Sequence, residues 1–174
     1  MLSFASTLSR NSEALVVFVT EKYDYKDKNR ILSKDLVQKI DLFIKTLKLE
    51  NKDEEINSID ISDQKKCFII KVKNKYENSY FEEIGGALFT HIKKFKNINS
   101  VDIYADSLNE NKDKIVKFFS EFVFGFNLKS YTFNKYKTLN KEKINKKVNF
   151  KIISSDKEKI EKKYKYYHAI KEGV

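Results

Sequence analysis

Strand and helix patterns alternate along this chain, which predicts an α/β layer fold with helices on both faces of a largely parallel or mixed sheet. Three observations carry the prediction. Residues 14–19, ALVVFV, are an unbroken apolar run, as in a strand covered on both sides. Two later stretches set large apolar side chains at helical spacing, one of them built mostly of phenylalanine. Between them fall short runs rich in β-branched residues or alternating in polarity.

The elements follow in order. After the strand at 14–19, the polar residues 21–29 read as a loop. Leu36, Ile40, Phe43, Ile44 and Leu47 then recur at helical spacing, with Ser33 placed to cap the helix. Residues 50–55 are again loop-like. Residues 58–62 alternate polar and apolar, predicting a half-buried strand, and 67–72, CFIIKV, predict a second. Phe81, Ile84, Leu88, Ile92 and Phe95 form another helical stripe. Gly85 and Gly86 cost that helix about 1 kcal/mol each relative to alanine, so a close approach to a strand or neighbouring helix is expected there. Residues 101–104 alternate as a strand. Ile115, Phe118, Phe119, Phe122 and Phe126 make the strongest stripe of the chain. The Lys- and Asn-rich residues 134–147 are expected to form a surface connection, and 148–153 a last strand. Ser155 and Glu158 fit a capping box opening a final helix, with Ile160, Tyr164, Tyr167 and Ile170 along one side.

The chain's 174 residues, 41% of them hydrophobic, suit one domain with a substantial core. There is no proline, and glycine occurs only at 85, 86, 125 and 173, so no flexible linker or repeat is visible. No apolar run approaches the roughly 20 residues of a membrane helix. The first ten residues, MLSFASTLSR, lack the pattern of a secretory signal, which makes a cytoplasmic location the expectation. Formal net charge is +10, from 35 basic and 25 acidic residues. Such a balance can attract nucleic acid or acidic membranes. Yet Arg10 and Arg30 are the only arginines, and the two-pronged guanidinium is the better phosphate and base reader. Lysine richness beside abundant Asn, Ile, Tyr and Phe fits an AT-rich genome better than a surface selected for nucleic acid.

No catalytic, cofactor-binding or metal-ligating residue is assigned. Nothing supplies the glycines of a P-loop, and the Gly85–Gly86 pair lies within a helix stripe rather than in a strand-to-helix turn. Cys67 is the only cysteine, so an internal disulfide is impossible, and its apolar surroundings suit a buried hydrophobe better than a reactive thiol. His91 and His168, the only histidines, fall on different helices, neither in an HExxH pattern. Glu54–Glu55 and Glu82–Glu83 are adjacent pairs whose side chains point apart, unlike an acid/base pair. Tyr164, Tyr166 and Tyr167 could stack bases, but helical spacing turns Tyr164 and Tyr167 together, as for packing against the sheet.

Three segments carry a family likeness: EEIGGALFTHIKKF (82–95), GFNLKSYTFNKYKT (125–138) and YYHAIKEGV (166–174). Together with the early strand ALVVFV they resemble the N-terminal domain of leucyl aminopeptidases, the cytosol aminopeptidase family. Tyr131, Phe133, Lys137 and Thr138 echo a turn that follows the aromatic helix in that family. The resemblance implies a macro-domain-like fold, a mixed sheet between helices. It also implies a cytoplasmic homohexameric parent that removes N-terminal amino acids from peptides, using two divalent metals, zinc or manganese, held in a C-terminal catalytic domain. The family's metal-binding segment is nowhere in this sequence, so no catalytic residue carries over. The chain is therefore expected to be a single domain over 1–174, with 155–174 as its last helix leading towards an absent catalytic domain. Its expected role is non-catalytic, in assembly or regulation beside that domain. The rival from another class is a stand-alone basic module binding DNA; a third is recognition of an ADP-ribose-type ligand. Where family members carry glycines after the 67–72 strand, this chain reads KVKNKYENSY, which counts against the third.

Overall fold

The computed structural model describes residues 1–50, 54–77, 79–137 and 148–171, with side chains excepted at 131–137 and 170–171. Its strands are β1 (Leu2–Ala5), β2 (Ala14–Thr20), β3 (Ile56–Ser62), β4 (Lys65–Val72), β5 (Ser100–Tyr104) and β6 (Asn149–Ile153). The helices are α1 (Lys34–Glu50), α2 (Tyr80–Lys93), α3 (Lys112–Lys137) and α4 (Lys157–Lys171), with a 3-10 turn at Ala105–Ser107. The strands make one six-stranded sheet in the order β1-β6-β5-β2-β4-β3. All neighbours run parallel except β3, which pairs antiparallel with β4 at the edge.

Period-two alternation lets β2 feed two cores at once. Ala14, Val16 and Phe18 face one side, packing with α2, α3 and Ile160 of α4. Leu15, Val17 and Val19 face the other, packing with Ile40, Ile44 and Leu47 of α1. Every residue from Ala14 to Val19 is fully buried, which is why the run could be apolar throughout. Ser33 caps α1 as its sequence suggests, its hydroxyl accepting the Leu36 N–H at 3.3 Å.

The glycine expectation is met by a helix–helix seam. A methyl group on Gly85 would run into the Phe122 carbonyl of α3, and one on Gly125 into the Glu82 carbonyl of α2. Gly86, by contrast, has room for a β-carbon, its nearest neighbours lying 3.8 Å away. Gly125 was therefore the missing half of the pair.

Four features differ from the sequence reading. The first strand, β1, was not foreseen; four residues of mixed polarity give little period-two signal, and the strand is held by its parallel pairing with β6. The turn expected after Gly125 is helical through Lys137, because no proline or further glycine interrupts α3 there. Of the surface connection expected at 134–147, residues 134–137 are therefore helix, and 138–147 lie outside the described residues. Finally, α4 starts later than Ser155. The Asp156 carbonyl accepts the Ile160 N–H at 3.1 Å, which makes Asp156 the residue before the first turn. The Ser155 N–H instead donates to Asp106 at 2.7 Å.

Candidate functional site at the carboxyl edge of the sheet

In open α/β sheets, ligands bind outside the carboxyl ends of the strands, where neighbouring strands send their connections to opposite faces. Here that point lies between β2 and β5: the chain leaves β2 for α1 on one face and leaves β5 for α3 on the other. The ladder opens at the same place. Pairing of β2 with β4 continues to Thr20↔Val72, whereas pairing with β5 stops at Val17↔Tyr104.

The opening is crossed by the chain itself. The Phe18 N–H, which would have continued the ladder, donates to the Ser107 hydroxyl at 2.8 Å. The Lys26 N–H donates to the Ser107 carbonyl at 2.9 Å, and Tyr25 forms an isolated antiparallel bridge with Leu108. Two carboxylates anchor this crossing. Asp27 accepts the backbone N–H groups of Ile31 and Leu32, at 3.0 and 3.1 Å, and the Tyr104 hydroxyl at 2.8 Å. Asp106 accepts the Ser154 hydroxyl at 2.6 Å, the Ser155 N–H at 2.7 Å and the Asn29 side-chain amide at 3.0 Å. Burial, followed by the hydrogen bond and charge of Asp27, pushes the Tyr104 phenol well above the usual tyrosine range. It stays a donor. These residues lie in separate loops, Asn29 and Asp106 being 77 positions apart, and no short motif could have announced them.

The residues weighed from sequence are not gathered at this edge. Cys67 is fully buried, and burial pushes its thiol up to about 12, so it is no nucleophile. His91 lies on α2, its pKa lowered by burial and then by Lys94. His168 lies on α4 with its ring against Tyr164. Glu83 accepts the Ser79 hydroxyl at 2.5 Å, and Glu55 pairs with Lys73 at 2.5 Å. Among the described residues no three His, Cys, Asp or Glu side chains are grouped to hold a metal. Tyr164 packs on the sheet, its ring centroid 6.4 Å from that of Phe4 in β1, while its hydroxyl accepts the Asn127 amide of α3 at 2.8 Å; the Tyr167 hydroxyl donates to Glu121 of α3 at 3.2 Å. Tyr166 is exposed and follows Lys165 in sequence. Of the lysines on that face, Lys159 pairs with Asp156 at 3.1 Å and Lys165 with Glu161 at 2.8 Å, which offsets part of the basic charge. No described helix is long and apolar enough to cross a membrane.

This six-stranded mixed sheet with four helices belongs to the macro-like class of α/β folds. The macrodomain of Thermus aquaticus DarG superposes with a TM-score of 0.58 at 13% identity, covering 88% of this chain and 98% of that one. A mutant of tomato leucine aminopeptidase superposes over 97% of this chain with a TM-score of 0.69 at 14% identity. This chain spans 35% of the tomato enzyme's length. Residues 16–140 match the family described as cytosol aminopeptidase family, N-terminal domain, and the chain belongs to that family. Among curated protein sequences there is no significant match.

Proposed function

We propose that this chain is the non-catalytic, accessory domain of a leucyl-aminopeptidase-like enzyme, acting in assembly or regulation beside a catalytic domain. The observation that carries the reading is the family match over residues 16–140, which is to the N-terminal domain. The fold agrees with it over nearly the whole chain. In this reading residues 1–174 are one domain and α4 leads towards the catalytic domain. That domain holds the zinc or manganese pair and releases N-terminal amino acids from peptides, and the assembled enzyme is a cytoplasmic homohexamer. The purified chain, incubated with a leucyl peptide and manganese or zinc, releases no leucine. Metal-dependent release by this chain alone overturns the proposal.

A further inference from the structure

We infer that the crevice at the carboxyl edge of the sheet is sealed by the chain's own carboxylates, with Asp27 and Asp106 in the places where a ligand's anionic groups would bind. The inference goes beyond the accessory role and stands or falls separately from it. Backbone N–H groups at the entrance to a helix attract anions, because they lack intrahelical partners and sit at the positive end of the helix dipole. Two such entrances converge on this crevice. Ile31 and Leu32, just ahead of α1, give their N–H groups to Asp27. Ser155, just ahead of α4, gives its N–H to Asp106, and Ser154 adds its hydroxyl. These N–H groups lie in the turns just outside the two helices, ahead of Ser33 and of Asp156, and both turns are closed from within.

The segment that brings Asp27 and Asn29 across, residues 21–33, is held as a strap. It is tied to the 3-10 turn through Lys26, Tyr25 and Asn29, and to β5 through Tyr104. Tyr23 and Arg30 take left-handed backbone conformations, with φ of 63° and 50°. Such conformations cost non-glycine residues about 1 kcal/mol or more and persist where the surroundings over-determine them. The strap meets that condition: the Tyr23 N–H donates to the Thr20 carbonyl at 2.8 Å and the Arg30 N–H to the Asp27 carbonyl at 3.1 Å. No glycine lies anywhere in residues 1–84, so the strap has none of the bare backbone that lets a pyrophosphate come close. Two carboxylates in the crevice repel a phosphate as well. The carboxyl edge is thus an internal lock joining the β2–α1, β5–α3 and β6–α4 connections.

Chemical rescue tests this on the full chain. Wild-type protein shows no rise in melting temperature with ADP-ribose, chosen as a probe carrying both a pyrophosphate and ribose. Asp106→Ala melts several degrees lower, and formate, a free carboxylate, restores part of that loss where chloride at equal ionic strength does not. Stabilisation of the wild type by ADP-ribose shows an open crevice and overturns the inference. So does equal response of Asp106→Ala to formate and chloride, which would make Asp106 an ordinary surface-turn residue. Should Asp106→Ala not fold, Asp106→Asn keeps the shape and loses the charge. Its expected signature is faster amide hydrogen exchange at Lys26 and Ser155 with exchange in β2 unchanged, and unaltered exchange at Lys26 and Ser155 overturns the inference.

Discussion

The two faces of the sheet share a strand and yet are closed by different physics. On the α2–α3–α4 face, Phe18 meets Phe118, Phe119 and Phe122 edge-on, with ring centroids 5.6, 4.7 and 5.4 Å away. That face is a continuous aromatic cluster, finished by a glycine seam between two helices. The α1 face is mostly aliphatic, with Tyr104 the one fully buried ring among its core residues and a single helix over Leu15, Val17, Val19 and Ile69. Its remaining area is covered by loops held with buried polar bonds, such as Asp102 accepting the Ser9 N–H at 2.6 Å and its hydroxyl at 2.9 Å. Rings can fill a wide helix-to-sheet gap with few side chains. Loops need hydrogen bonds, because their backbone groups must be satisfied wherever they are buried.

The contrast is sharpest for large-to-small changes. Phe118 is 1% exposed and lies against the rings of Phe18, Phe81, Phe119 and Phe122, so Phe118→Ala is expected to cost about 4 kcal/mol in urea unfolding. Leu47→Ala, equally buried under the single helix of the other face, is expected to cost about 3 kcal/mol. A larger loss at Leu47 than at Phe118 would reverse the ranking of the two faces. The seam gives the next effect. Gly85→Ala forces α2 from the Phe122 carbonyl and is expected to cost about 2 kcal/mol. Gly86→Ala, one residue on, has room for its methyl and gains helix propensity, so it is expected to stabilise by up to ~1 kcal/mol. Equal effects at the two positions would show that the helices are not in fixed contact at Gly85.

How far the sequence discloses this design depends on how local each signal is. The apolar run at 14–19, the β-branched residues at 67–72 and the helical spacing at 115–126 are local properties, and they led directly to β2, β4 and α3. Ser33 and Leu36 are three apart, so the cap of α1 was readable as well. The need for a close approach at the glycine pair could be read, and Gly85 shares the face of Phe81, Leu88 and Ile92 at helical spacing, but its partner Gly125 lies on another helix and nothing local names it. The carboxyl edge was illegible for the same reason. Asp27, Asp106 and Ser154 are ordinary polar residues in three loops, and only the topology brings them together. Strand β1 gains its order from β6, nearly the length of the chain away.

The smallest effect separates the faces by their carboxylates. Both oxygens of Asp102 and both of Asp106 accept hydrogen bonds. Glu121, on α3 beneath α4, has only one oxygen engaged, by Tyr167, while its Oε2 is buried without a partner. Burial pushes its pKa up, with Glu82 adding to the rise, against Lys117, the Tyr167 hydrogen bond and Lys163, which pull it down. A carboxyl whose folded pKa lies above its unfolded value, about 4.3, keeps its proton longer in the folded state. Stability is then highest below the unfolded pKa and declines as pH rises towards the folded one, beyond which the deficit stays constant. Glu121→Gln cannot ionise and keeps an acceptor for Tyr167. It should therefore be more stable than wild type at neutral pH, with the difference shrinking as pH falls through the carboxyl range. Urea midpoints measured across that range decide it: a difference that does not change with pH would mean that packing, not ionisation, sets the cost of Glu121 at the α3–α4 contact.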